Sequence, residues 1–129
     1  MLDDLRKKAN EALGNGDVNQ AYLIICEVIS SKNSTLDDLY LAAEWALDSK
    51  HYDECIGLYN QALSASITQN ETWYLDSIYL GRAYAYALTD EKEEASNDML
   101  KVSSETELSW LRNHPLINKQ LVTSILTKE

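Results

Sequence analysis

Tyr52-Asp53-Glu54-Cys55-Ile56, continuing to Tyr59, Ala62 and Leu63, is the stretch that decides the fold. Ile56, Tyr59 and Leu63 draw one apolar stripe at helical spacing, and Cys55 and Ala62 set small side chains beside bulky ones. The same order stands about 34 residues earlier, where Asp17 aligns with His51, Val18 with Tyr52, Ala21 with Cys55, Ile25 with Tyr59 and Ile29 with Leu63. The register extends back through Leu5 and Leu39, Ala9 and Ala43, Ala12 and Ala46. A third copy follows in looser register: Gly81 answers to Ala43 and Ala95 to Cys55, each pair a little further apart than the first two copies are. Self-similarity at this period marks a repeat architecture, in which each unit buries its apolar face on the next.

Helix signals punctuate the repeat. A first helix is expected over about Leu2 to Leu13, broken by Gly14-Asn15-Gly16. A second runs from about Val18 to Ser30. Ser34 or Thr35 can cap a third, with Asp37 or Asp38 three residues on, and it ends near Asp48. A fourth covers about Tyr52 to Ala65. Thr68 and Glu71 read as a capping box for a fifth helix, about Gln69 to Leu88. Asp90 and Glu93 open a sixth that ends near Ser103. Ser104 and Glu107 read as a box before a short helix, about Glu105 to Asn113; Pro115 interrupts, and a last helix spans about Leu116 to Leu126.

The 129 residues fit one domain, 1–129, with repeats at about 2–34, 36–68 and 71–107 and a cap over 108–129. One proline and four glycines suit helices better than many short strands. The formal net charge of −10 repels a phosphate backbone, so no nucleic acid is expected as a partner. No apolar run is long enough to span a membrane. The acidic start Met1-Leu2-Asp3-Asp4 reads against a secretory signal, and two cysteines fit a reducing compartment, so the expected location is the cytoplasm.

The paired helices resemble tetratricopeptide repeats. Small residues stand where the family's helices cross, Ala9, Ala43 and Gly81 in the first helix of each copy and Ala21, Cys55 and Ala95 in the second. The bulky residue four further on is Ile25, Tyr59 or Met99, and Leu80-Gly81-Arg82-Ala83-Tyr84 is close to the family's Leu-Gly-x-x-Tyr. The proline that often ends each family repeat is replaced by Asn33, Ile67 and Glu107, and Trp45 stands where the family prefers a small residue. The resemblance implies an all-α fold: a right-handed α-α superhelix of about three hairpins with C-terminal capping helices. It also implies a concave groove lined by Arg6, Asn10 and Leu13, then Tyr40, Glu44 and Leu47, then Ile78, Arg82, Ala85 and Tyr86. The groove residues nominated for a partner are Arg6, Asn10, Tyr40, Glu44, Leu47, Ile78, Arg82 and Tyr86. A final helix folding back would fill the same trough. The family's clamp for a C-terminal carboxylate is incomplete: Arg6 and Asn10 fit it, but Leu41, Leu75 and Tyr79 occupy its other positions.

Catalytic and metal chemistry find no constellation. Cys26 and Cys55 lie on separate expected helices without a CxxC, His51 and His114 lack a ligand-spaced partner, and Gly14-Asn15-Gly16-Asp17 lacks the lysine of a phosphate loop. No catalytic residue, cofactor or metal is expected. The expected function is a non-catalytic protein–protein interaction module for a peptide or protein partner, basic if charge guides it. The alternative is a stoichiometric immunity protein or secretion chaperone that covers a basic or aggregation-prone partner. A homo-oligomer stays open. Tyr40, Tyr79 and Tyr86, with Trp73 and Trp110, supply the apolar area and polar handles that interfaces use.

Overall fold

The computed structural model describes residues 2–114 and 116–128. Six helices come first: α1 (Leu2–Gly14), α2 (Val18–Ile29), α3 (Leu36–Asp48), α4 (Tyr52–Thr68), α5 (Leu75–Leu88) and α6 (Lys92–Met99). A two-residue strand β1 (Glu107–Leu108), its partner β2 (Ile117–Asn118) and helix α7 (Lys119–Leu126) complete the chain. The fold is all-α apart from this small antiparallel pair, in which Leu108 faces Ile117. From α1 to α6 each helix packs on its successor, α3 also touches α5, and α7 lies on α5. No helix among the described residues is long and apolar enough to cross a membrane.

The helix ends explain the tight turns. After α1, the Asp17 amide donates to the Ala12 carbonyl and the Gly16 amide to Leu13, with Gly16 left-handed at φ 82°. After α3, the His51 amide reaches Ala46 and Lys50 reaches Leu47, with Lys50 at φ 68°. After α5, Glu91 reaches Tyr86 and Asp90 reaches Ala87, with Asp90 at φ 63°. After α4, Glu71 reaches Ser66 and Asn70 reaches Ile67, with Asn70 at φ 54°. This is one closure, the Schellman motif, used four times. Gly16 and Lys50 stand at equivalent positions of the first two sequence repeats. Thr35 starts α3: its hydroxyl accepts from the Asp38 amide while the Asp38 carboxylate accepts from the Thr35 amide. Such a reciprocal cap is worth on the order of 1 kcal/mol.

The small-residue positions all lie inside. Ala9, Ala43 and Gly81, and Ala21, Cys55 and Ala95, are buried, as are Ile25, Tyr59 and Met99. Gly81 sits at a tight crossing. A Cβ there would sit 2.5 Å from Cζ of Tyr59 and closer still to its oxygen. That ring is fully buried and its hydroxyl donates to Glu44 at 2.8 Å, so it has little room to yield. Gly81→Ala gains about 1 kcal/mol of helix propensity but overpacks the crossing, and a net loss of about 2 kcal/mol is expected in urea unfolding. A variant as stable as the native chain would mean that α4 and α5 do not approach this closely.

Several boundaries depart from the sequence reading. The fourth helix continues to Thr68, and Asn70 takes the left-handed conformation (φ 54°) that closes it. The fifth therefore starts at Leu75 rather than Gln69, no Thr68–Glu71 box forms, and the Glu71 carboxylate accepts from the Trp73 amide instead. Asp90 ends α5 rather than opening α6, which spans only Lys92–Met99. The expected helix over Glu105 to Asn113 is absent. Strand β1 occupies part of it, because Leu108 pairs across to Ile117 with both buried, while the amides of Arg112 and Asn113 are taken by a side chain of α3. The capping segment is thus one helix and a short hairpin-like strap, not two helices. Pro115 lies outside the described residues.

Candidate functional site

Helix α3 reads Leu36-Asp37-Asp38-Leu39-Tyr40-Leu41-Ala42-Ala43-Glu44-Trp45-Ala46-Leu47-Asp48. Three of its carboxylates are buried, which calls for hydrogen-bond partners at each. Asp38 faces α1: Arg6 donates through Nε at 2.9 Å and Nη2 at 2.7 Å. Burial pulls the Asp38 carboxyl upward, but Arg6 and the Thr35 cap hold it below its usual range.

Glu44 and Asp48, one turn apart, face the C-terminal strap and are 1% and 2% exposed. Glu44 accepts from the Tyr59 hydroxyl with one oxygen and from the Trp110 indole N–H with the other. Burial pushes its carboxyl up to about 7, against the opposing hydrogen bonds from Tyr59, Trp110 and Tyr40. Asp48 accepts two successive backbone amides of the strap, Arg112 at 3.0 Å and Asn113 at 2.7 Å. Its own backbone carbonyl takes the Asn113 side-chain amide at 3.1 Å. His114 lies with Nδ1 3.4 Å from Asp48 and Nε2 3.1 Å from the Tyr52 hydroxyl, edge-on to Tyr52 and Tyr84. Leu108, Leu111 and Ile117 add buried apolar anchors, and Thr106 donates to Asp76 of α5 at 3.0 Å. The chain's own strap thus lies against α3 and α5.

The nominated groove residues separate into three groups. Tyr40, Glu44, Leu47 and Ile78 are buried, so they are not open to a partner as expected; tyrosine rings, neighbouring helices or the strap cover them. Tyr40 stacks on Tyr74 at 4.2 Å and meets Tyr59 at 6.4 Å. Leu13 is partly buried and Ala85 fully buried, so Ala85 too is closed to a partner. Arg6 is committed to Asp38 and Asp3, beside the exposed Asn10. Arg82 is committed to Asp98 on α6, and its guanidinium also lies 5.6 Å from the Tyr79 ring and 5.8 Å from the Tyr86 ring. Cys55 is buried, with its thiol pushed well up by burial, and Cys26 is raised for the same reason.

Sequence reasoning passed over Asp48 and Asn113. The available signal was two acidic residues four apart on a helix otherwise apolar from Leu39 to Leu47.

A second feature lies where the N-terminus of α3 meets the α4–α5 loop. Thr35, Leu36, Asp37, Gln69, Glu71, Trp73 and Tyr74 line a notch of about 280 Å³. Trp73 is 82% exposed at its rim. No family model, no curated protein and no solved structure matches the chain.

Proposed function

We propose that the chain is a non-catalytic protein-binding module of the tetratricopeptide type, one domain winding as a right-handed superhelix. Helices packed in series, buried small residues at their crossings and one turn shared by equivalent positions Gly16 and Lys50 of the first two sequence repeats support this reading. The observation that carries it is the grip of Asp48 on two successive backbone amides of the strap. A carboxylate holding two successive main-chain N–H groups recognises a bend in a polypeptide whatever its side chains, since successive amides of an extended chain point apart, while Glu44 selects a donor such as an indole. The trough's partner is a segment of another protein that bends as the strap does and takes its place. Because the strap is tethered, it competes at an effective concentration on the order of 1 mM, and the site is gated by its own chain.

A labelled peptide of residues 106–118 tests this on the full chain. Trp110→Phe keeps the ring but loses the N–H to Glu44, so this variant should bind the peptide about tenfold tighter than the native chain does. Asp48→Ala, added to it, should abolish binding. Peptide binding indifferent to both substitutions would remove the trough from consideration.

The net charge of −10 also favours the narrower reading of a stoichiometric neutraliser of a basic protein, as an immunity protein or secretion chaperone would be. Its mark is an association rate with that partner that falls steeply with ionic strength.

A further inference from the structure

Trp73 is a large aromatic left 82% exposed, yet the loop that carries it is pinned. Asn70 closes α4 in the left-handed conformation, and the Glu71 carboxylate accepts from the Trp73 amide at 2.9 Å. The Leu75 amide returns to the Thr72 carbonyl at 3.2 Å. On the far side of Trp73, the Tyr74 ring stacks on Tyr40 and its hydroxyl donates to Asp37. The indole is therefore presented on a fixed base, which lowers the ordering cost of a contact made there.

The notch beside it holds two carboxylates, Asp37 and Glu71, with Gln69 between α4 and the loop, and among the described residues no basic side chain lines it. Each carboxylate accepts one hydrogen bond in the pairs just described and has further acceptor sites. An indole face is the strongest aromatic partner for a cation, and a planar guanidinium can stack on it while donating to a carboxylate. Lysine can do only part of this, as a point charge. An anionic membrane surface or a nucleic acid would meet the same carboxylates as repulsion.

We propose that this notch docks an arginine side chain from a basic segment of a partner protein, with the guanidinium against Trp73 and hydrogen-bonded to Glu71 and Asp37. The proposal rests on the reading of the chain as a protein-binding module. Its seat shares no residue with the contacts that hold the strap, so the two can fail separately.

The test is a titration of the full chain with a labelled arginine-rich peptide at low and moderate salt. Trp73→Ala should weaken binding about tenfold, and Trp73→Phe by less. Glu71→Gln should weaken it about fivefold. Glu93→Gln on α6 makes the same change of charge elsewhere and should leave it unchanged. The matching lysine peptide should bind more weakly than the arginine one. Trp73 is exposed, so these variants keep the fold, which circular dichroism verifies. Exchange of the 106–118 peptide in the Trp110→Phe background should be indifferent to Trp73→Ala. Native affinity in Trp73→Ala, or an equal loss in Glu93→Gln and Glu71→Gln, overturns the proposal. So does binding of the chain to phosphatidylcholine vesicles that depends on Trp73, since that assigns the indole to a lipid interface.

Discussion

Arg82→Met is expected to cost the fold about 4 kcal/mol, the loss that follows when one partner of a buried ion pair is removed. Asp98 is 3% exposed on α6 and receives two bonds from the same guanidinium, Nε to Oδ2 at 2.7 Å and Nη2 to Oδ1 at 2.6 Å. The third arm of Arg82 donates to Asn60 of α4 at 2.8 Å, so one side chain ties three successive helices. Without it, a buried carboxylate is left without its cationic partner. Adding Asp98→Leu should return most of the loss, because an apolar pair of similar volume is about as stable as the ion pair it replaces. Urea unfolding of the two single variants and the double variant measures this directly. If Arg82→Met alone cost under about 1 kcal/mol, the pair would be an exposed one of the weak kind, and Arg82 would return as a groove residue.

Glu44 should make stability depend on pH in the direction opposite to an ordinary salt-bridged carboxylate. Burial raises its carboxyl to about 7 in the folded chain, from an ordinary value of 4.5. The folded state therefore binds this proton more tightly than the unfolded state does. The resulting stabilisation is complete below the unfolded value and is lost as pH rises through the folded one. Between pH 5 and pH 8 the native chain should lose about 2.5 kcal/mol relative to Glu44→Gln, which has no proton to release. The difference between the two proteins isolates Glu44 from the other acidic groups. Parallel stability curves across that window would show that water reaches the Glu44 carboxylate in the folded chain.

The core was legible in the sequence and most of the nominated site was not. Ala9, Ala21, Ala43, Cys55, Gly81 and Ala95 could be named as crossing points because sterics at a helix crossing admit few residue types. Arg6 and Arg82 read as groove residues because a repeated, polar, inward position looks the same whether it meets a partner or an aspartate on a neighbouring helix. The aspartates that claim them lie 32 and 16 residues away, at no spacing that local pattern reveals. The C-terminal segment misleads for a related reason. Ser104 and Glu107 satisfy the local rule for a helix start, but the amides of Arg112 and Asn113 find Asp48, a buried carboxylate far back along the chain on α3. A charge-assisted bond to that carboxylate competes with the intrahelical bond the same amide would otherwise make.

What this sequence determined unaided is the helical character, the register of small residues and the points at which the first and third helices turn back. Those follow from propensity, periodicity and backbone sterics, which act over a few residues. Tertiary structure alone decided that the strap covers Glu44 and Asp48, that both arginines pair with buried aspartates, and that Trp73 remains on the surface. Each of these depends on which distant groups compete to satisfy a buried charge or cover an apolar ring. That competition is settled by desolvation in three dimensions, which a linear pattern does not encode.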